Sequence, residues 1–139
     1  ETTKEPQDWK QAAYYQYWMH MAHHDNPAHI AMRTKKYKLI LYYGAKPQDL
    51  SPETPPAWEL YDLENDPHEL QNIYETASKD LVFKLKQQFA DMRKENGADN
   101  SKFAVNQVIN DFWDYDEDDR QQAIQISKKY AELRSAKEQ

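Results

Sequence analysis

The chain contains no cysteine and only two glycines among its 139 residues. Without cysteine it can form neither a disulfide framework nor a thiolate zinc site, and it offers no thiol nucleophile. Two glycines are too few for a glycine-rich loop that cradles a phosphate group. No apolar run approaches the roughly 18 residues that cross a bilayer, so no membrane span is expected.

Large apolar side chains are also scarce, since Leu, Ile, Val and Phe together account for 22 of the 139 residues. A level this low is typical of disordered chains. The chain nevertheless has ten Tyr, four Trp and four Phe, and disordered chains are poor in aromatic rings. We therefore expect an ordered domain whose thin core depends on aromatic side chains and rests partly on a partner surface.

The net charge is −6, from 18 basic and 24 acidic residues, which argues against a nucleic-acid partner. The length corresponds to about one domain. Because the chain opens with Glu1 rather than Met and shows no signal peptide, we expect a processed protein or a piece of a longer one.

The sequence pattern predicts an α+β fold, with a small antiparallel sheet of three to four strands packed with C-terminal helices. We expect a linker over residues 1–13, an α+β unit over 14–97 and a helical extension over 98–139. The predicted strands are Tyr14–Met21, His29–Thr34, Tyr37–Tyr43 and Trp58–Leu63. Lys35 and Lys36 are expected to form a tight hairpin turn. The proline-rich segment Gly44–Ala57 is expected to be a surface loop.

Three helices with apolar periodicity are predicted after the sheet: one over Lys79–Glu95, a shorter one through Val105–Phe112, and one from about Asp119. The last carries Ile126, Tyr130 and Leu133 on one stripe. Before them, Asp66, Pro67 and Glu69 form a capping-box pattern, which predicts a short helix over Pro67–Tyr74. The acidic run Asp114–Asp119 lacks the glycine and glutamate of a calcium-binding EF-hand, so we expect Asp118 or Asp119 to cap the last helix.

Four histidines, His20, His23, His24 and His29, lie within ten residues. Their spacing matches no template that converges three or four ligands on zinc. Three interpretations remain open: a structural or solvated histidine-rich turn, a set of polar contacts that line a site, and a metal site, which this spacing disfavours.

Basic residues cluster between Asn26 and Gln48, where no acidic residue occurs. The cluster consists of Arg33, Lys35, Lys36, Lys38 and Lys46. It could attract an anion, or it could be a hairpin whose charged edge prevents aggregation. Strand alternation places Ile30 and Met32 on one face and His29, Ala31 and Arg33 on the other. Arg33 is the stronger anion-binding candidate, since a guanidinium matches the geometry of sulfate or carboxylate.

Two segments carry a family resemblance over about Tyr14 to Met92: H-I-A-M-R-T-K-K-Y-K-L-I at His29–Ile40, and W-E-L-Y-D-L-E-N-D-P-H-E-L-Q-N-I-Y at Trp58–Tyr74. Together and in this order they resemble the C-terminal subdomain of the formylglycine-dependent sulfatases. Ala31 stands where that family usually has glycine. The segment H-M-A-H-H-D-N-P-A-H at His20–His29 resembles the corresponding segment of family members from bacteria that act on sulfated glycans.

The resemblance implies a sulfatase, a sulfuric ester hydrolase of periplasmic or secreted location, whose substrate is a sulfated carbohydrate such as a glycosaminoglycan. The C/S-x-P-x-R motif that yields formylglycine does not occur in this chain. We therefore expect formylglycine and calcium in a catalytic domain of the same polypeptide, with no catalytic residue and no activity in these residues alone. The implied substrate contacts are His20, His23, His24, His29 and Arg33.

Two rival interpretations stay open. The sheet could cap the catalytic domain without touching substrate, which would make the chain a purely structural module. Alternatively, it could be a free-standing anion- or glycan-binding module that uses the face of Arg33 and Lys36 without catalysis. An upstream reading frame that encodes C/S-x-P-x-R would exclude this last interpretation.

Overall fold

A computed structural model describes residues 10–22, 24–46, 50 and 53–137 of the chain. Four strands, β1 (Ala12–Tyr17), β2 (His29–Thr34), β3 (Tyr37–Tyr42) and β4 (Ala57–Asp62), form one antiparallel sheet in the order β1-β2-β3-β4. Three helices follow, α1 (Lys79–Glu95), α2 (Ala104–Asp111) and α3 (Glu117–Lys137). The predicted α+β architecture is confirmed.

One face of the sheet packs against the helices and forms the core. In β2, Ile30 and Met32 lie on this face and are fully buried, as the alternation predicts. From α1, Phe89 enters the core with 0% exposure and contacts the rings of Tyr14, Trp58 and Trp113. The scarce aliphatic residues are thus supplemented by an aromatic cluster, which confirms the expected ring-dependent core.

The hairpin between β2 and β3 is also confirmed. The Thr34 hydroxyl accepts hydrogen bonds from the backbone N–H groups of Lys36 at 3.3 Å and Tyr37 at 2.8 Å. These bonds close the turn locally and fix the register in which Arg33 lies opposite Lys38. Register in turn decides which side chains reach the outer face of the sheet.

The helix predicted over Pro67–Tyr74 is wrong, because these residues form turns and irregular backbone. Asp66 still caps backbone donors, since its Oδ2 accepts the N–H of Gln71 at 2.8 Å. Glu69, however, takes a left-handed φ of 56°, which a helix cannot contain. Its carboxylate leaves the expected capping box and contacts Lys38 instead. A tertiary ion pair has overridden the local signal.

Several strand and helix bounds also differ from prediction by a few residues. Strand β1 begins at Ala12 and ends at Tyr17 rather than Met21, because the chain then turns: the carbonyl of Trp18 accepts the N–H of His20 at 2.8 Å. Helix α3 begins at Glu117, and its cap is Asp116, whose Oδ1 accepts the N–H of Asp119 at 2.9 Å.

A buried arginine fixes the helical extension to α1. Arg93 is 4% exposed, and its Nη2 donates to the carbonyl of Ala98 at 3.2 Å and to Oδ1 of Asn110 at 3.0 Å. Its guanidinium also lies 5.1 Å from the ring centre of Trp113. These contacts determine where α2 begins relative to the sheet.

Candidate functional site

The histidine loop, residues 20–28, lies between β1 and β2, and the structure describes it except at residue 23. The N–H of Met21 donates to the carbonyl of Asn26 at 3.0 Å, which closes the loop. Inside it, His24 and Asp25 have φ values of 56° and 52°. Histidine and aspartate adopt this left-handed conformation more readily than most other residues except glycine, and it is typical of turns. His24 is exposed in this turn.

His20 points into the protein and ties the loop down. It is 6% exposed, and its Nδ1 accepts the N–H of Ala28 at 3.0 Å. A neutral ring that accepts at Nδ1 carries its proton on Nε2. That Nε2 faces Oε2 of Glu53 at 3.2 Å. His20 therefore holds the start of the loop to its end and to the proline-rich segment.

The proline-rich segment, expected to be a surface loop, supplies this buried carboxylate. Glu53 is 3% exposed and also pairs with Lys46. Gly44 anchors the segment, because its carbonyl accepts the N–H of Glu53 at 2.8 Å. Its φ is +55°, and a Cβ there would lie 2.4 Å from the carbonyl oxygen of Thr54, so only glycine fits. Sequence reasoning missed Glu53, since no periodicity marks a single buried acid among prolines.

His29 lies on the outer face of the sheet, opposite the helices, in a stack of rings. It stacks on Tyr17 with 5.3 Å between ring centres and lies 5.1 Å from Tyr42. Its Nδ1 donates to the carbonyl of Pro27 at 2.8 Å, because a carbonyl can only accept. Burial lowers the pKa of His29, more than the bond to Pro27 raises it. At neutral pH the ring is uncharged and Nε2 is an acceptor.

Arg33 lies on the same face as His29, as the alternation predicts, and remains 57% exposed. Its Nη1 is 3.9 Å from Oε1 of Glu69, whereas Lys38 Nζ is 2.6 Å from Oε2 of the same carboxylate. Lys36 pairs with Glu64 at 3.0 Å. The carboxylates of Glu64 and Glu69 therefore neutralise much of the basic cluster. The contact of Arg33 with Glu69 is long and exposed, so its guanidinium remains accessible.

Two tyrosines and a glutamate complete the outer face beside β4. The hydroxyl of Tyr61 donates to Oε2 of Glu59 at 2.9 Å. Burial and the neighbouring Glu59 raise the pKa of Tyr42 to about 12, and the same two causes raise the pKa of Tyr61. Both phenols thus stay protonated at neutral pH. The face offers hydrogen-bond donors and acceptors of the kind that recognise sugar hydroxyls.

The structure does not gather the five predicted contacts into one cluster. His20 is internal, His24 is at the loop tip, and His23 lies outside the described residues. His29 and Arg33 share a face but stand four residues apart along β2, a separation of about 13 Å. Within the described ranges, no three His, Asp or Glu side chains are arranged to hold a metal ion, and no helix is long and apolar enough to cross a bilayer.

Comparison with known families shows the family to which the chain belongs. A sequence model of the family described as N-sulphoglucosamine sulphohydrolase, C-terminal, matches residues 1–95. The chain therefore belongs to this family of sulfatase C-terminal domains. The resemblance seen in the two segments of β2–β3 and β4 is confirmed.

Two relatives describe the similarity more closely. The N-acetylglucosamine-6-O-sulfatase of Bacteroides thetaiotaomicron is 39% identical over 71 residues, which is 51% of this chain and 11% of that protein. The structure of BT4656 in complex with its substrate, D-glucosamine-2-N,6-O-disulfate, is 32% identical with a TM-score of 0.56, over 68% of this chain and 18% of that one. The chain thus spans less than a fifth of either relative.

Proposed function

We propose that this domain belongs to a sulfatase that hydrolyses sulfate esters of sulfated carbohydrate. In this proposal it packs on a catalytic domain of the same polypeptide and lines the substrate pocket with the histidine loop. Formylglycine and calcium do not fit the residues described above, so we assign them to the catalytic domain and give this chain no step of the reaction.

The proposal rests on two observations taken together. Residues 1–95 match the sulfatase family, and the chain is 32% identical to a protein whose structure holds a disulfated glucosamine. Sulfated glucosamine is therefore the substrate class we propose, with a glycosaminoglycan as its polymeric source. His24 is exposed in the histidine loop, where a ligand can reach it.

Each predicted contact takes a role that its surroundings allow. Arg33 is proposed to bind a sulfate group, because a guanidinium fork matches its oxygens and this side chain is 57% exposed. His24, which is exposed, is proposed to bond a sugar hydroxyl. His29 is only 8% exposed between Tyr17 and Tyr42, so it is proposed to position these rings beside the substrate. His20 would act as a positioning residue through Ala28 and Glu53. His23 stays a proposed contact on its place in the loop.

The resemblance also supports a periplasmic or secreted location, which fractionation of the source cells would test. Recovery of the protein in the cytosolic fraction would contradict it.

The proposed activity is tested with the full-length protein that contains this chain and D-glucosamine-2-N,6-O-disulfate as substrate. We expect sulfate release, and we expect His24→Ala to lower kcat/KM about threefold to tenfold, the loss of one hydrogen bond of about 0.5–1.5 kcal/mol. His68→Ala is the matched control, since His68 is an exposed histidine on a different loop. Equal kinetics for both variants would favour the purely structural module. Binding without sulfate release would favour the non-catalytic module.

A further inference from the structure

A concave site lies close to the histidine loop, and the proposed function does not use it. It is a cleft of about 340 Å³ between the end of β1 and the beginning of α2. Its lining includes Trp18, Tyr43, Ala45, Lys102, Phe103 and Val105. The volume falls at the lower end of the range of about 300–1,000 Å³ that is usual for small-ligand sites.

Two large aromatic rings border this cleft and are exposed. Trp18 is 57% exposed and Phe103 is 60% exposed, whereas Tyr43 beneath them is 1% exposed. Rings of this size normally enter the core or an interface, so exposed ones that share a cleft indicate a binding surface.

The N-cap position of α2 gives no structural reason for a phenylalanine at residue 103. Phe103 occupies this position, makes no side-chain cap hydrogen bond and stays outside the core. Ser, Thr, Asp and Asn are the residues that stabilise this position. The chain therefore places an exposed ring where a capping residue would stabilise the helix.

Hydrogen bonds nevertheless hold the backbone at Phe103 in place. Asn106 is 4% exposed and its Nδ2 donates to the carbonyl of Asn100 at 3.0 Å, which closes the turn before α2. The N–H of Asn106 also donates to the carbonyl of Phe103 at 2.9 Å. Together with the Arg93 contacts to Ala98 and Asn110, these bonds hold the beginning of α2 in place.

The chemistry of the cleft matches a sugar with negative charge. The face of an aromatic ring is electron-rich and packs on the C–H groups of a pyranose ring. Lys102 lines the same cleft and supplies a cation for a sulfate group. No carboxylate is among the lining residues within the described part of the chain.

We propose that the cleft between Trp18 and Phe103 binds a second sugar unit of a sulfated oligosaccharide. This inference rests on the proposed function and adds a site to it. Trp18 lies two residues before His20, where the histidine loop starts, so the cleft is close to the proposed substrate contacts along the chain. Lys102 and Phe103 lie beyond residue 95, so the helical extension contributes what the family match does not cover.

The test compares ligands of two lengths on the full-length protein. Affinity for a heparin-derived hexasaccharide and for D-glucosamine-2-N,6-O-disulfate is measured by calorimetry. We expect Trp18→Ala and Phe103→Ala each to weaken hexasaccharide binding about threefold to tenfold and to leave monosaccharide binding unchanged. Phe83→Ala is the matched control, because Phe83 is a ring on α1 that is 64% exposed and outside this cleft.

Two outcomes overturn the proposal, and a third separates it from the proposed reaction. Unchanged hexasaccharide affinity in both variants shows that the cleft takes no sugar, and a lowered melting temperature with that result shows that another part of the protein covers it. Equal losses for both ligands assign the rings to the histidine-loop site. A protein that releases no sulfate but loses hexasaccharide affinity in these variants contradicts the proposed reaction alone and supports the cleft.

Discussion

His20 and Glu53 meet inside the protein, with 3.2 Å between Nε2 and Oε2. The contact joins the histidine loop to the proline-rich segment. The other nitrogen of His20, Nδ1, accepts a hydrogen bond from the N–H of Ala28. One imidazole therefore connects the start of the loop to its end and to the proline-rich segment. A histidine in a polar, histidine-rich sequence thus stabilises the backbone that presents His24.

Glu53→Ala is expected to lower the free energy of unfolding by about 1–3 kcal/mol, because it leaves His20 buried without its carboxylate partner. Urea denaturation at neutral pH measures the change. Glu64→Ala is the control, since Glu64 is a surface carboxylate, 62% exposed, that pairs with Lys36. Its urea midpoint should stay near the wild-type value. Similar midpoints for the two variants would show that the Glu53 contact adds nothing to stability.

Phe89→Ala is expected to lower the free energy of unfolding by about 3–5 kcal/mol, because removing a fully buried ring leaves a cavity among Tyr14, Trp58 and Trp113. Thermal or urea unfolding measures the loss. Phe83→Ala removes the same ring from the exposed side of α1 and should change stability little. Comparable losses in both variants would contradict the assigned orientation of α1.

The sequence predicted those elements whose signal is local and periodic. Helix α1 has the predicted bounds Lys79–Glu95, and Ile30 and Met32 face the core as strand alternation requires. The short helix after Asp66 does not form, and long-range contacts hold this segment instead: Glu69 pairs with Lys38, and the N–H of Ile73 donates to the carbonyl of Leu60. A local pattern cannot report a partner that only the folded chain brings close.

The candidate site was predicted less completely for the same reason. The exposed face of Arg33 follows from the period of β2. The burial of His20 depends on Glu53, which belongs to a segment without any periodicity. The ring stack around His29 depends on strand pairing that places Tyr17 and Tyr42 on either side of it.

Asp66 gives a prediction about acid pH. The N–H groups of Leu70 and Gln71 hold the pKa of its carboxyl below the ordinary value. A carboxyl whose pKa is lower in the folded protein stabilises it above its unfolded pKa of about 3.9, and this contribution disappears as pH falls through the folded value. Asp66→Ala should therefore have a lower urea midpoint than wild type at pH 7, and the two midpoints should converge in acid.

The control for this experiment is Asp66→Asn, which keeps one acceptor oxygen without a titrating group. Its urea midpoint should lie between those of wild type and Asp66→Ala at pH 7. A gap between wild type and Asp66→Ala that persists unchanged into acid would mean that the carboxylate charge does not stabilise this turn.

His29 gives a second pH-dependent prediction. Because burial lowers its pKa, the unfolded chain binds a proton more readily, and the stabilisation is complete only above the unfolded pKa of about 6.5. It should decline as pH falls from there through the folded pKa. NMR titration should place the midpoint of the His29 ring below 6.5. His29→Phe keeps a ring between Tyr17 and Tyr42 without a titrating nitrogen, and its stability should decline less over this range. A midpoint above 6.5 would contradict the buried, uncharged ring.

The variant Arg33→Ala tests whether Arg33 contacts substrate or forms a structural ion pair. The contact of Arg33 with Glu69 is 3.9 Å long and exposed, so Arg33→Ala should leave the melting temperature of the full-length protein nearly unchanged. If Arg33 binds sulfate, kcat/KM for the disulfated glucosamine should fall about tenfold or more, because hydrogen bonds to charged groups contribute about 1.5–3 kcal/mol. Lys35→Ala, in the adjacent turn, removes a cation two residues away and should change kcat/KM little. A sharply lower melting temperature with unchanged kcat/KM for Arg33→Ala would instead assign this guanidinium to the pairing of β2, β3 and the Glu69 turn.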